Sequence, residues 1–167
     1  MRFKVLGMVA ALALVVSACE STSDSGAGAS GSGSGSITPL PAAEPLALKD
    51  QFVVDVGDRV FFSFDRFDVE PDQKAVLDRQ AAWLKSHSSV TVTIEGHADE
   101  RGTREYNLAL GERRANAVKE YLIYQGIDAK RIKTVSYGEE RPVALGSDEA
   151  AWAQNRRGVT IVTGSGS

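Results

Sequence analysis

The stretch that most constrains how this chain can fold runs from Val90 to Val118, where a strict alternation passes through a short polar loop into a helical stripe. Val90, Val92 and Ile94 alternate with Thr91, Thr93 and Glu95, the period-2 pattern of a strand with one face buried. Gly96 ends the alternation. Leu108, Ala115, Val118 and Leu122 then follow at helical spacing up to Gly126, which suits the position just past a helix end with Ile127 behind it. Gly111 sits inside that stripe. A glycine costs about 1 kcal/mol in a helix interior but is tolerated at an N-cap. The pattern therefore predicts a short turn through Tyr106 to Leu110 and a new helix from Glu112, with Arg114 in its first turn.

The same strand and helix patterns recur on either side. Val60 to Phe64 is β-branched and aromatic, and Phe52 to Val56, ahead of Gly57 and Asp58, is a further strand candidate. Pro71 opens a helix to about Ser86, with Val76, Leu77, Ala81, Trp83 and Leu84 at helical spacing. Ile132 to Tyr137 reads as a strand, and Ser147, Asp148 and Glu149 cap a helix that Arg156, Arg157 and Gly158 close. Val159 to Val162 is the last strand. The order β-α-β-α-β-α-β predicts an α/β domain, an α+β sandwich with a mixed sheet and helices packed on it. It spans 48–163, followed by a disordered tail at 164–167.

The N-terminal part cannot belong to that core. Arg2 and Lys4 precede an apolar run of about a dozen residues, Val5 to Val16, too short to span a bilayer. Residues 1–18 therefore read as a secretory signal. Val16-Ser17-Ala18-Cys19 resembles the lipobox of bacterial lipoproteins, a resemblance that implies cleavage before Cys19, lipidation of its thiol and anchoring in a lipid bilayer. Cys19 is the only cysteine, so no internal disulfide can form. In lipoproteins an aspartate after the cysteine retains the protein in the inner membrane. Glu20 stands there instead, which points to the outer membrane. Glu20 to Ser36 is a Ser/Gly/Ala tract whose end Pro39, Pro41 and Pro45 stiffen, so residues 19–47 read as a flexible tether with a root-mean-square reach of roughly 25 to 30 Å.

Charge narrows the function classes. The net charge is −3, and losing residues 1–18 removes Arg2 and Lys4 and no acid, taking it to −5. Neither value carries a nucleic-acid footprint. If the strands ending near Phe64 and Glu95 are parallel, their carboxyl ends share an edge. Asp65 and Asp99 then face each other across a crevice with Arg114 beside them. Paired carboxylates need cations, and an arginine fork needs a carboxylate. A ligand bearing an ammonium and a carboxylate on one carbon satisfies all three. Asp99 could instead cap the following turn or pair with Arg114. Glu100 and Arg101 read as loop solubility, and Arg156 and Arg157 as dipole partners of a helix end. His97 reads as a hydrogen-bonding structural residue, since His87 is the only other histidine and a metal site needs about three protein ligands. No metal or cofactor is expected. An enzyme using Asp65 and Asp99 as a glycosidase pair and an inert spacer are the rival readings.

FFSFDRFDVEP, EGHADERGTREYNLALGERRANAVKEYL, VSYGEERP and LGSDEAAWAQNRR resemble the OmpA C-terminal-like family, in its branch of peptidoglycan-associated lipoproteins. The resemblance covers essentially the whole folded domain. It implies non-covalent binding of peptidoglycan through the meso-diaminopimelate of the stem peptide, and no enzyme activity. By that resemblance the ligand aspartate of the H-x-D loop is Asp99 and the arginine of the L-[SG]-x-x-R-A motif is Arg114. The F-D turn contributes Asp65, and the arginine motif contributes Leu110. The family also implies a TolB-like periplasmic propeller protein as partner, within a Tol-Pal system at the periplasmic face of the outer membrane.

Overall fold

The computed structural model describes residues 47–165. The signal segment 1–18, Cys19, the tether up to residue 46 and residues 166–167 lie outside the described part. Among the described residues a short helix, α1 (Leu48–Gln51), runs into a π-helical turn, Phe52–Val56. Then follow β1 (Arg59–Phe61), α2 (Pro71–Ser86), β2 (Val90–His97), α3 (Arg104–Tyr124), β3 (Ile132–Gly138), α4 (Glu149–Asn155) and β4 (Arg157–Ser165).

The four strands form one sheet in the order β1-β4-β2-β3. β2 and β3 are parallel, whereas β4 is antiparallel to both β1 and β2. Gly158 of β4 pairs with Val60 on one side and Gly96 on the other. β1 and β2 therefore run in the same direction with β4 between them, and both end at one edge of the sheet. That edge carries the site.

One face of the sheet is covered by α2 and α3. Leu77, Ala81 and Leu84 of α2 and Ala115, Val118 and Leu122 of α3 meet Val60, Val90, Val92, Ile94 and Ile132 in the core. Leu77, Leu84, Ile94 and Leu122 are completely buried, each contributing about 1.5–3 kcal/mol through removal of apolar surface from water. α3 ends as its pattern predicts. Gly126, at φ 94°, donates to the Ile123 carbonyl, and Ile127 N donates to that of Leu122.

Three local expectations are overturned. Phe52 to Val56 is a helical turn because Phe52 and Val56, four apart, are buried while Val53 and Val54 face outward; the Phe52 ring packs edge-on against Trp83 at 5.0 Å. β4 begins at Arg157 and continues through Ser165, which pairs with Val90, so Gly164 and Ser165 belong to the sheet and not to a frayed tail. Most consequential, α3 does not restart at Glu112. It is one unbroken helix from Arg104, with Thr103 as N-cap accepting from Tyr106 N at 3.2 Å.

Gly111 serves a different purpose from capping. There α3 lies directly on the sheet, and a Cβ on Gly111 would meet the Ser136 hydroxyl and come 2.8 Å from the Gly96 carbonyl. A Cβ on Gly96 would collide with the Gly111 carbonyl itself. Ser136 Oγ donates to the Leu108 carbonyl at 2.6 Å across the same contact.

In an ordinary helix interior glycine to alanine stabilises by about 1 kcal/mol. Here Gly111→Ala is expected to destabilise the domain by roughly 1–3 kcal/mol through overpacking, and Gly96→Ala by more, because it meets backbone. Urea titrations of each variant against the parent check both sign and order; a stabilised Gly111→Ala would sink the close-packing account.

Candidate functional site

At the sheet edge where β1 and β2 end, a cleft of about 220 Å³ is lined by Phe64, Asp65, Asp99, Arg101, Gly102, Tyr106, Asn107, Leu110 and Arg114. All four ligand residues expected from the sequence, Asp65, Asp99, Leu110 and Arg114, line it. Cys19 lies outside the described residues.

Arg114 reaches the cleft from the middle of α3, not from a helix start, and its side chain is completely buried. Burial without compensation would expel a cation. Three carbonyl dipoles supply the compensation: Nε donates to Arg66 O at 2.8 Å, Nη1 to His97 O at 2.7 Å and Nη2 to Ser63 O at 3.3 Å. A guanidinium has five N–H donors, so one remains on each terminal nitrogen. Burial draws its pKa down to about 10; the nearby Asp99 opposes this, Arg156 adds to it, and Asp65 opposes it. Arg114 remains charged at neutral pH.

Asp99 is also buried, yet it does not hydrogen-bond Arg114. Oδ1 accepts from the backbone N and the Nε of Arg101, both at 3.1 Å, and Oδ2 from Arg101 Nη2 at 2.6 Å and Arg156 Nη1 at 3.3 Å. Burial is the largest single influence and pushes the Asp99 carboxyl up, but the hydrogen bonds from Arg101 and Arg156 together outweigh it and hold the group below the usual carboxylate range. Asp65 stands across the cleft in the turn after β1. It is the only described non-glycine residue at positive φ, 57°, a conformation aspartate tolerates better than most residues. It accepts a hydrogen bond from the Tyr106 hydroxyl.

Arg101, Arg156, Phe64 and Tyr106 are the site residues that sequence patterns miss. Arg101, expected as loop solubility, is clasped between the rings of Phe64 and Trp152, 3.9 and 4.0 Å from their centres. Its spacing two residues after Asp99 is the signal that could have found it, since an aspartate readily accepts from a backbone N–H two residues on. Arg156 is no exposed helix-end partner. It is 5% exposed and donates to Phe62 O, Asp99 and Glu149, contacts that no local signal records.

His97 departs from expectation as well. Neither ring nitrogen has a hydrogen-bond partner; Nε2 lies 3.5 Å from Glu95 Oε2 without hydrogen-bond geometry. Burial, and then the charges of Arg157 and Arg141, lower its pKa to about 4. Its ring is neutral at pH 7 and stacks near Tyr137 at 5.6 Å. Its contribution to the site is its backbone carbonyl, which holds Arg114.

Compared with known proteins, residues 61–156 match the model of the OmpA family. The chain is 54% identical over 126 residues to the peptidoglycan-associated lipoprotein of Rhizobium meliloti, covering 75% of this chain and 71% of that one. It is 51% identical over 126 residues to the protein of the same name from Mesorhizobium japonicum, covering 75% and 74%. Its fold is similar to the crystal structure of the peptidoglycan-associated lipoprotein from Burkholderia pseudomallei, with 47% identity and a TM-score of 0.62 over 64% of this chain and 90% of that one. The expected mixed sheet with helices packed on it is the fold this chain shares with that crystal structure.

The buried imidazole makes stability depend on pH. An unfolded chain protonates His97 near 6.5, while the folded one keeps it neutral down to about 4. Between these values the unfolded state binds more protons, so stability is full above pH 6.5 and is lost as pH falls toward 4. Asp99, held low, adds a loss only below its ordinary range. Unfolding free energy is expected to drop by about 2–3 kcal/mol between pH 7 and 4.5 on account of His97. Urea titrations at both pH values check this, and His97→Leu should flatten the difference.

Proposed function

Because this chain belongs to the OmpA family, among the peptidoglycan-associated lipoproteins, we propose that its cleft grips the meso-diaminopimelate of peptidoglycan stem peptides without covalent chemistry. Diaminopimelate ends in the zwitterion that the residues call for. Asp99 and Asp65 receive the ammonium, the two unspent N–H groups of Arg114 fork onto the carboxylate, and Leu110 packs against the methylene chain. The observation that carries this reading is the convergence of a carbonyl-cradled arginine and two carboxylates on one cleft. At about 220 Å³ the cleft falls below the range of roughly 300–1,000 Å³ for drug-sized ligands, and so suits an amino-acid end group better than a sugar chain.

In the full chain, acylated Cys19 fixes the protein in the lipid bilayer at the periplasmic face of the outer membrane. The tether of residues 19–47 lets the domain reach the wall, so the protein links membrane to wall. By the same family reading a TolB-like propeller protein is its partner in a Tol-Pal system. Binding, and not hydrolysis, is the role of the cleft: Asp99, kept ionised by two arginines, is the opposite of a general acid, which must hold its proton near neutral pH.

Co-sedimentation of soluble residues 46–167 with purified sacculi, competed by a free diaminopimelyl peptide, tests the reading. Loss of both effects overturns it, and release of soluble wall fragments would establish an enzyme instead. Asp99→Asn and Arg114→Lys are each expected to weaken wall binding about 10- to 100-fold, since hydrogen bonds to charged groups contribute roughly 1.5–3 kcal/mol. Lysine keeps the charge of Arg114 but cannot supply the fork. Asp65→Asn, which tolerates the same backbone conformation, should weaken binding with little change in unfolding free energy.

A further inference from the structure

The carboxylate of Asp99 has no vacancy for an incoming cation. Its oxygens accept four N–H groups, three from Arg101 and one from Arg156, and a carboxylate offers about four acceptor sites. An ammonium group entering the cleft must therefore displace a donor. Arg156 is anchored, with Nε on Phe62 O at 2.9 Å and Nη2 on Glu149 at 2.6 Å. Arg101 is not. Its side chain is 30% exposed, and beyond Asp99 it is held by the faces of Phe64 and Trp152, which attract a guanidinium without fixing where its N–H groups point. Glu149 Oε2 waits 3.8 Å from its Nη1.

We infer that Arg101 is a specificity-determining residue, an internal counterion on Asp99 that a ligand has to displace. Only an end group bringing its own positive charge can do so, because a neutral group would leave a buried carboxylate short of its counter-charge. Displaced, the guanidinium stays between the two rings and turns toward Glu149. This rests on the assignment of the cleft to the diaminopimelate end group and adds the basis on which neutral or purely anionic end groups are refused.

The sign of one substitution separates this role from a merely structural one. If Arg101 only positioned Asp99, its loss would weaken binding; as a displaceable competitor, its loss strengthens it. Calorimetric titration of the full chain in detergent with a soluble stem peptide ending in meso-diaminopimelate provides the measurement. Arg101→Met, which keeps an apolar stem between the rings and no donor, is expected to bind about three- to tenfold more tightly, on the net scale of a single ordinary hydrogen bond, since the ammonium still has to be desolvated. Arg101→Lys should gain less, since its ammonium cannot bridge both oxygens. In the parent, ligand should move the Arg101 Nε–H NMR resonance and leave that of Arg156 in place. Equal or weaker binding by a folded Arg101→Met, or an unmoved Arg101 resonance, overturns the inference while parental binding keeps the site assignment. If Arg101→Met fails to fold, the resonance decides alone, and a parent that does not bind the peptide overturns both.

Discussion

The burial of the Arg114 guanidinium is the interaction on which the rest of the site depends. A cation with no access to water survives only if protein dipoles replace the solvent. Three carbonyls do so, and they come from the turn after β1 and from the end of β2. By solvating the charge these segments are bound to one another through α3. The turn that presents Asp65 and the loop that presents Asp99 are thus held in fixed relation by the residue lying between them. The lining of the cleft and the local architecture share one side chain.

The depth at which that guanidinium sits follows from the smallest residues in the domain. Gly96 and Gly111 allow α3 to lie on the sheet backbone to backbone, with Ser136 sealing the contact through the Leu108 carbonyl. One turn further along, Arg114 then falls at the level of the strand ends, where carbonyls no longer committed to the sheet are available. A larger residue at either glycine would lift the helix and withdraw the cation from its cradle. The cost of a glycine in a helix interior, about 1 kcal/mol, is offset by this approach.

Around Asp99 the balance is different. Its burial disfavours charge, and two arginines restore it. One is anchored on the Phe62 carbonyl and Glu149, and the other is clasped by aromatic rings. An ionised, fully hydrogen-bonded carboxylate is suited to exchanging one cation for another, which is a binding event, and unsuited to delivering a proton. Nearby, His97 contributes its carbonyl while its buried imidazole goes without partners.

Much of this was legible in the chain itself. Strand and helix positions such as Val90 to Ile94, Pro71 to Ser86 and the Asp148 cap follow from periodicity and local hydrogen bonding, which act within a few residues of sequence. Asp65, Asp99 and Arg114 were legible as one group from their chemistry, Leu110 joined them only through the family resemblance, and all four line one cleft. Tertiary structure alone decided the rest. Gly111 looks like a helix start in sequence because the carbonyl it must avoid belongs to Gly96, fifteen residues away and on another element. Arg156 looks like a helix-end charge because Asp99 lies fifty-seven residues away, and the two meet only because β4 inserts between β1 and β2. Patterns in sequence record what a residue does to its neighbours along the chain; a buried charge is governed by the dipoles that folding gathers around it.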